Sequence, residues 1–202
     1  AGNAGASFTA TANTTLYAKW NDNIPPVVNS VTAMATSATK YKLDISASDS
    51  GSWLKGYYIS TSATPPTATS VTWTPNTANN FTYANANPNT TYYVWVIDNS
   101  NNVSNAKSIT TATINYSVNN TSWYNNLQQA IDAASSGNII YLLNNYTDTS
   151  SGFFTKNLTL NLNAKTLTRN ERLIVNTDVS MTLDGNGILK NVNGEDGIYN
   201  TG

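Results

Sequence analysis

Residues 155–170, TKNLTLNLNAKTLTRN, and residues 176–191, NTDVSMTLDGNGILKN, decide the architecture of this chain. Laid over one another, Leu158, Leu160, Leu162 and Leu167 fall on Val179, Met181, Leu183 and Ile188. Asn163 falls on Asp184, Ala164 on Gly185 and Arg169 on Lys190. Each copy reads as alternating apolar residues, a tight turn, and a further apolar residue. Recurrence of such a unit at a spacing of roughly 20–30 residues is the mark of a solenoid. Period-two alternation within each copy makes the stacked elements strands, so the pattern predicts a β-helix. Leu160, Leu162, Met181 and Leu183 are expected to stack in successive rungs. Ile139 and Tyr141, in IIYLL (139–143), precede Leu160 and Leu162 at the same offset and are expected to line an earlier rung.

Upstream, LQQAIDAASSG (127–137) belongs to the one helix the pattern predicts, over 122–135. Thr121 or Ser122 is its expected N-cap and Gly137 its stop. Trp123, Leu127, Ala130, Ile131 and Ala134 share one face and predict packing over the open end of the solenoid. The order LQQAIDAASSGNIIYLLNN, NLTLNLNAKTLT, VSMTLDGNGILKN resembles the N-terminal cap and first rungs of pectin-lyase-like right-handed β-helix proteins. That family includes polysaccharide lyases, polygalacturonases, phage tailspikes and non-enzymatic adhesins.

Residues 27–112 carry short apolar segments at 27–34, 40–48, 54–61, 70–74, 80–84, 91–98 and 103–111, separated by turn clusters. Seven strands at this spacing predict an antiparallel sandwich. Leu54, Tyr57 and Ile59 are expected to face inward, as are Tyr92, Val94 and Val96, with Tyr41, Leu43 and Ile45 opposing them. LKGYYIS (54–60) and TTYYVWVID (90–98) resemble the central strand and the tyrosine-corner strand of immunoglobulin-like and fibronectin-III-like modules. NDNIPP (21–26) reads as a linker, because two prolines fix φ and remove backbone donors. Before it, TLYAKW (15–20) resembles the closing strand of a Listeria–Bacteroides repeat, so residues 1–20 are expected to be the remnant of a preceding module. The fold class expected is all-β: a strand remnant (1–20), a linker (21–26), an immunoglobulin-like sandwich (27–112), and a capped, truncated right-handed β-helix with one short helix (113–202).

Composition bounds the function. Only 10% of residues are charged and the net charge is −1, with no basic patch, which speaks against nucleic acid. Asn and Thr make up roughly three residues in ten, which suits strands joined by tight corners in an exported surface protein. No apolar run reaches the roughly 20 residues that span a bilayer. AGNAGASF (1–8) has neither a charged nor an apolar signal region, and no initiator Met precedes it, so the chain reads as a piece of a longer precursor. There is no Cys and no His, which excludes disulfides, a Ser-His-Asp triad and a His/Cys zinc centre. No cofactor or metal is expected.

The family's glycosidases use carboxylate pairs and its lyases use acidic calcium clusters with a basic residue. Here the acidic residues are Asp178, Asp184, Glu195 and Asp196. Asp184 lies in DGNG and Glu195-Asp196 in NGEDG, both turn strings. Asn176-Thr177-Asp178 spells NTD, as polygalacturonases do at their catalytic aspartate, but the His-containing loop of that site is missing. No catalytic residue is assigned within the fragment. The other candidates are aromatic: Trp53, Tyr58, Trp73, Tyr93 and Trp95 are expected on outward faces, where flat rings can stack on sugars. The leading expectation is a non-catalytic segment of a bacterial cell-surface or secreted protein, spacer plus adhesion or glycan-binding scaffold, meeting glycans or a host surface. The alternatives are the front of a polysaccharide lyase or hydrolase with active rungs beyond Gly202, and a carbohydrate-binding module in its own right. The uncovered last rung predicts end-to-end self-association.

Overall fold

The structure is a computed structural model that describes residues 22–192 and 197–201. The expected strand at 15–20 lies outside the described residues. The described chain is mostly β, with one short helix.

Two antiparallel sheets come first. One has the order β1 (Val27–Ser37), β2 (Lys40–Ser48), β5 (Asn80–Ala86). The other has the order β4 (Thr74–Pro75), β3 (Leu54–Ser60), β6 (Thr91–Asp98), β7 (Lys107–Thr110). In β2 every second residue is buried, and Tyr41, Leu43 and Ile45 meet Leu54, Tyr92, Val94 and Val96 in one core. Tyr57 stacks on Phe81 with ring centroids 4.2 Å apart, joining the two sheets. The register of β3 on β6 shifts between Leu54 and Gly56, so both are buried. A Cβ at Gly56 would lie 2.7 Å from the Thr74 carbonyl, so the approach of β4 requires glycine here. Residues 70–73, expected in a strand, instead form a turn and bend, closed by Trp73 Nε1 donating to Ala68 O at 3.1 Å.

The second half begins with a hairpin, β8 (Tyr116–Val118) and β9 (Ser122–Tyr124). Nine short strands follow: β10 (Ile139–Leu142), β11 (Tyr146–Asp148), β12 (Phe153–Phe154), β13 (Leu158–Asn161), β14 (Thr166–Arg169), β15 (Leu173–Val175), β16 (Met181–Asp184), β17 (Ile188–Asn191) and β18 (Ile198–Asn200). They pair as three parallel ladders, β10-β13-β16, β11-β14-β17 and β12-β15-β18. Alternate residues point into a shared core of Ile140, Leu142, Phe154, Leu158, Leu160, Leu162, Leu167, Leu173 and Val175.

The repeat is real but its offset is not constant. Ile140 pairs with Leu160, so Ile140 and Leu142 are the buried residues of β10, rather than Ile139 and Tyr141. A one-residue slip exchanges the faces of a strand. Leu158 pairs with Met181 and Leu160 with Leu183, so each Leu of β13 sits beside the residue two places further on than the constant offset implies. Leu167 pairs with Leu189, which packs on the core, and Ile188 is 60% exposed. The 21-residue offset holds only where Tyr146 pairs with Leu167 and Phe153 with Ile174.

The helix is shorter than expected. Ser122–Tyr124 pairs with β8 as a strand, and Trp123 packs against the core of the first two sheets. The helix α1 runs Leu127–Ala133, and its N-cap is Asn126, whose side chain accepts from Gln129 N. Lys156 Nζ donates to the carbonyls of Ile131, Asp132 and Ala134, satisfying the C-terminal end. Leu127, Ala130 and Ile131 join the core of the parallel ladders, and β8 pairs along the free edge of β10. Cap and ladders are locked by a buried polar network. Asp148 accepts from Tyr116 Oη, Leu127 N and Ser150 N, and lies 3.9 Å from Arg169 Nη1. Arg169 is 1% exposed and donates to the carbonyls of Ser150 and Glu171.

Candidate functional site

Strands β3 and β6 alternate, so the residues between the core positions share the outer face of their sheet. Tyr58 is the cross-strand partner of Trp95, with ring centroids 5.9 Å apart. Tyr93 lies 6.1 Å from Trp95, and Trp73 lies 6.1 Å from Tyr58 in an edge-to-face arrangement. Four of the five expected aromatics therefore form one continuous band. Trp95 is not exposed on it: its side chain is wholly buried, at 0%. It is a floor, covered by its neighbours, on which the half-buried Tyr58, Tyr93 and Trp73 rest. Trp53 stands apart in the turn before β3, 77% exposed, with a left-handed φ of 68°. The five do not make a single platform.

The acidic residues of the second half are used in local structure. Asp178 occupies an exposed turn with φ 63°, where Val179 N donates to Asn176 O. Asp184 accepts from Asn161 Nδ2 at 3.1 Å across β13 and β16. Glu195 and Asp196 lie outside the described residues.

A different acidic group gathers at one end of the antiparallel sheets. Asp22 precedes β1, Asp49 follows β2, and Asp98 ends β6; one carboxylate oxygen from each lies within 4.8 Å of the other two. Asp22 accepts from Ile24 N at 3.0 Å and from Ser52 N at 2.7 Å, and the Ile24 bond foremost holds its carboxyl below the ordinary range. Asp49 Oδ2 accepts from Gly51 N and Trp53 N. Asp98 is wholly buried and accepts from Asn102 N and Asn102 Nδ2, both at 2.8 Å. Asn102 Nδ2 also donates to Asp22 O, tying the segment before β1 to the loop after β6. Asp49 Oδ1 is buried and accepts nothing. Reading the sequence from its repeat and its aromatics misses this group. Its signal was available as three Asp-containing turn strings, NDN (21–23), SDSGS (48–52) and IDNSNN (97–102), each at the border of an expected strand.

A groove of about 640 Å³ runs between β1, β7 and the β9–α1 segment, lined by Met34, Tyr41, Trp123 and Asp132 among others. Comparison with models of known protein families, with curated proteins and with solved structures finds no match for this chain.

Proposed function

We propose that this chain is a non-catalytic segment of a large bacterial cell-surface or secreted protein. In this reading residues 27–112 are an immunoglobulin-like or fibronectin-III-like spacer. Residues 113–202 are the cap and first rungs of a right-handed β-helix. Together they carry adhesion or glycan binding outside the cell. The hydrogen bond from Asn87 N to Tyr92 Oη, 2.7 Å, supports the spacer assignment, because a tyrosine anchored to backbone a few residues upstream is typical of such sandwiches. Three parallel ladders closed over by α1 support the solenoid assignment.

The observation that carries glycan binding is the aromatic band, with Tyr58, Trp73 and Tyr93 half-exposed over buried Trp95. Rings held rigid by their neighbours give up little freedom when a sugar stacks on them. Asp178 and Asp184 serve a turn and a ladder contact, which favours a scaffold over an enzyme. The test is a glycan array probed with the 202-residue chain, followed by titration of one retained glycan. Tyr58→Ala and Tyr93→Ala should each weaken binding by about 0.5–1.5 kcal/mol. An array that retains nothing would remove glycan binding and leave a spacer.

A further inference from the structure

We propose that Asp22, Asp49 and Asp98 form a calcium site that ties the segment entering β1 to the loops at that end of the two antiparallel sheets. The donors come from three segments far apart in sequence, yet one oxygen from each lies within 4.8 Å of the others. Like charges held at such a distance repel, and among the described residues no Lys or Arg pairs with any of the three. Asp98 cannot escape by solvation, because it is wholly buried.

Five of the six carboxylate oxygens accept an N–H: both of Asp22, both of Asp98, and Oδ2 of Asp49. Asp49 Oδ1 alone is removed from solvent and has no donor. A desolvated carboxylate oxygen without a partner is costly, and a cation satisfies it. The N–H donors fix the carboxylates while leaving acceptor capacity on each oxygen. Close packing of Gly51 completes the arrangement: a Cβ there would overlap the Asp22 carboxylate.

The donor set selects the ion. All three ligands are hard oxygens, and the chain has neither His nor Cys, so Zn²⁺ and Cu²⁺ are disfavoured. Irregular loops supplying carboxylates, with room for carbonyls and water, suit the variable geometry of Ca²⁺ better than the octahedral demand of Mg²⁺. Three carboxylates on surface loops place the expected affinity with extracellular calcium modules, at about 10⁻⁴–10⁻³ M. The site is argued from these contacts alone and holds whether or not the chain binds glycans.

The test uses the 202-residue chain, stripped with chelator and titrated calorimetrically with CaCl₂ and, separately, MgCl₂. Calcium should bind with one site per chain and raise the melting temperature, and magnesium should bind at least about tenfold more weakly. Asp49→Asn should weaken calcium binding at least about tenfold while the calcium-free protein melts no lower than the parent, because repulsion is relieved. Asp22→Asn, at a more accessible ligand, provides a second variant if Asp49→Asn does not fold. Asp184→Asn, far from the cluster in sequence and held by β13, should bind as the parent does. Absence of binding up to about 10 mM CaCl₂ would overturn the site. So would calcium binding that neither Asp49→Asn nor Asp22→Asn weakens, and equal affinity for magnesium would overturn the choice of ion.

Discussion

The Tyr116 hydroxyl donates to Asp148 Oδ2 at 2.7 Å, joining the first strand of the capping hairpin to the first turn of the parallel ladders across 32 residues. Burial, then the charge and hydrogen bond of Asp148, push the Tyr116 hydroxyl well above the ordinary tyrosine range. A raised value in the fold means the stabilisation is complete below the unfolded value of about 10 and is lost as pH rises above it. Tyr116→Phe should cost about 1–3 kcal/mol at neutral pH, because a buried carboxylate oxygen loses a donor. It should also flatten the loss of stability above about pH 10, since Phe does not titrate. Urea denaturation of both proteins from neutral to alkaline pH checks this; parallel pH dependences would contradict it.

Asp148→Ala is expected to be the more damaging change. It strips a hydroxyl and two backbone N–H groups of their acceptor and leaves Arg169 buried without a counter-charge. Breaking a buried pair from one side costs about 3–5 kcal/mol. The denaturation midpoint of the second half is the readout, and a cost near that of an exposed pair would mean Arg169 is not sealed from water.

Leu160 is fully buried beside Leu183, which is 42% exposed at the outer strand of the same ladder. Leu160→Ala should cost about 2–5 kcal/mol and Leu183→Ala clearly less. Hydrogen exchange should quicken in β10, β13 and β16 on the first substitution, with β2 and β6 keeping their protection. Equal costs for the two leucines would contradict the stacking.

Ala164 holds a left-handed φ of 55° in the turn after β13. An L-residue with a Cβ pays for that conformation and glycine does not. Ala164→Gly is therefore expected to stabilise the chain by roughly 1 kcal/mol. A thermal melt decides, and a destabilised variant would show that the Ala164 methyl contributes packing that outweighs the strain.

Strands β16, β17 and β18 are outermost in their ladders, and Leu183, Ile188 and Ile198 are exposed there. Edges of this kind pair with other chains. The 202-residue chain should show concentration-dependent association in sedimentation velocity, abolished by Ile188→Lys with Ile198→Lys. A strictly monomeric parent at high concentration would refute the association.

By itself the sequence determined which residues alternate and where the chain turns. Leu158-Leu160-Leu162, Tyr41-Leu43-Ile45 and Tyr92-Val94-Val96 were legible because a strand's period of two is local. The tertiary structure alone decided which copies pair. Turns of unequal length shift Leu160 onto Leu183 and Leu167 onto Leu189, and one residue of slip exchanges inside for outside. Trp123 shows the same limit: its spacing fits a helix, but pairing with Ser117 makes it part of a strand. Trp95 alternates outward as expected, yet neighbouring rings bury it. The Asp22, Asp49 and Asp98 cluster lay furthest from view. Its members share no local pattern, and only the meeting of three loops at one end of the sheets brings their charges together.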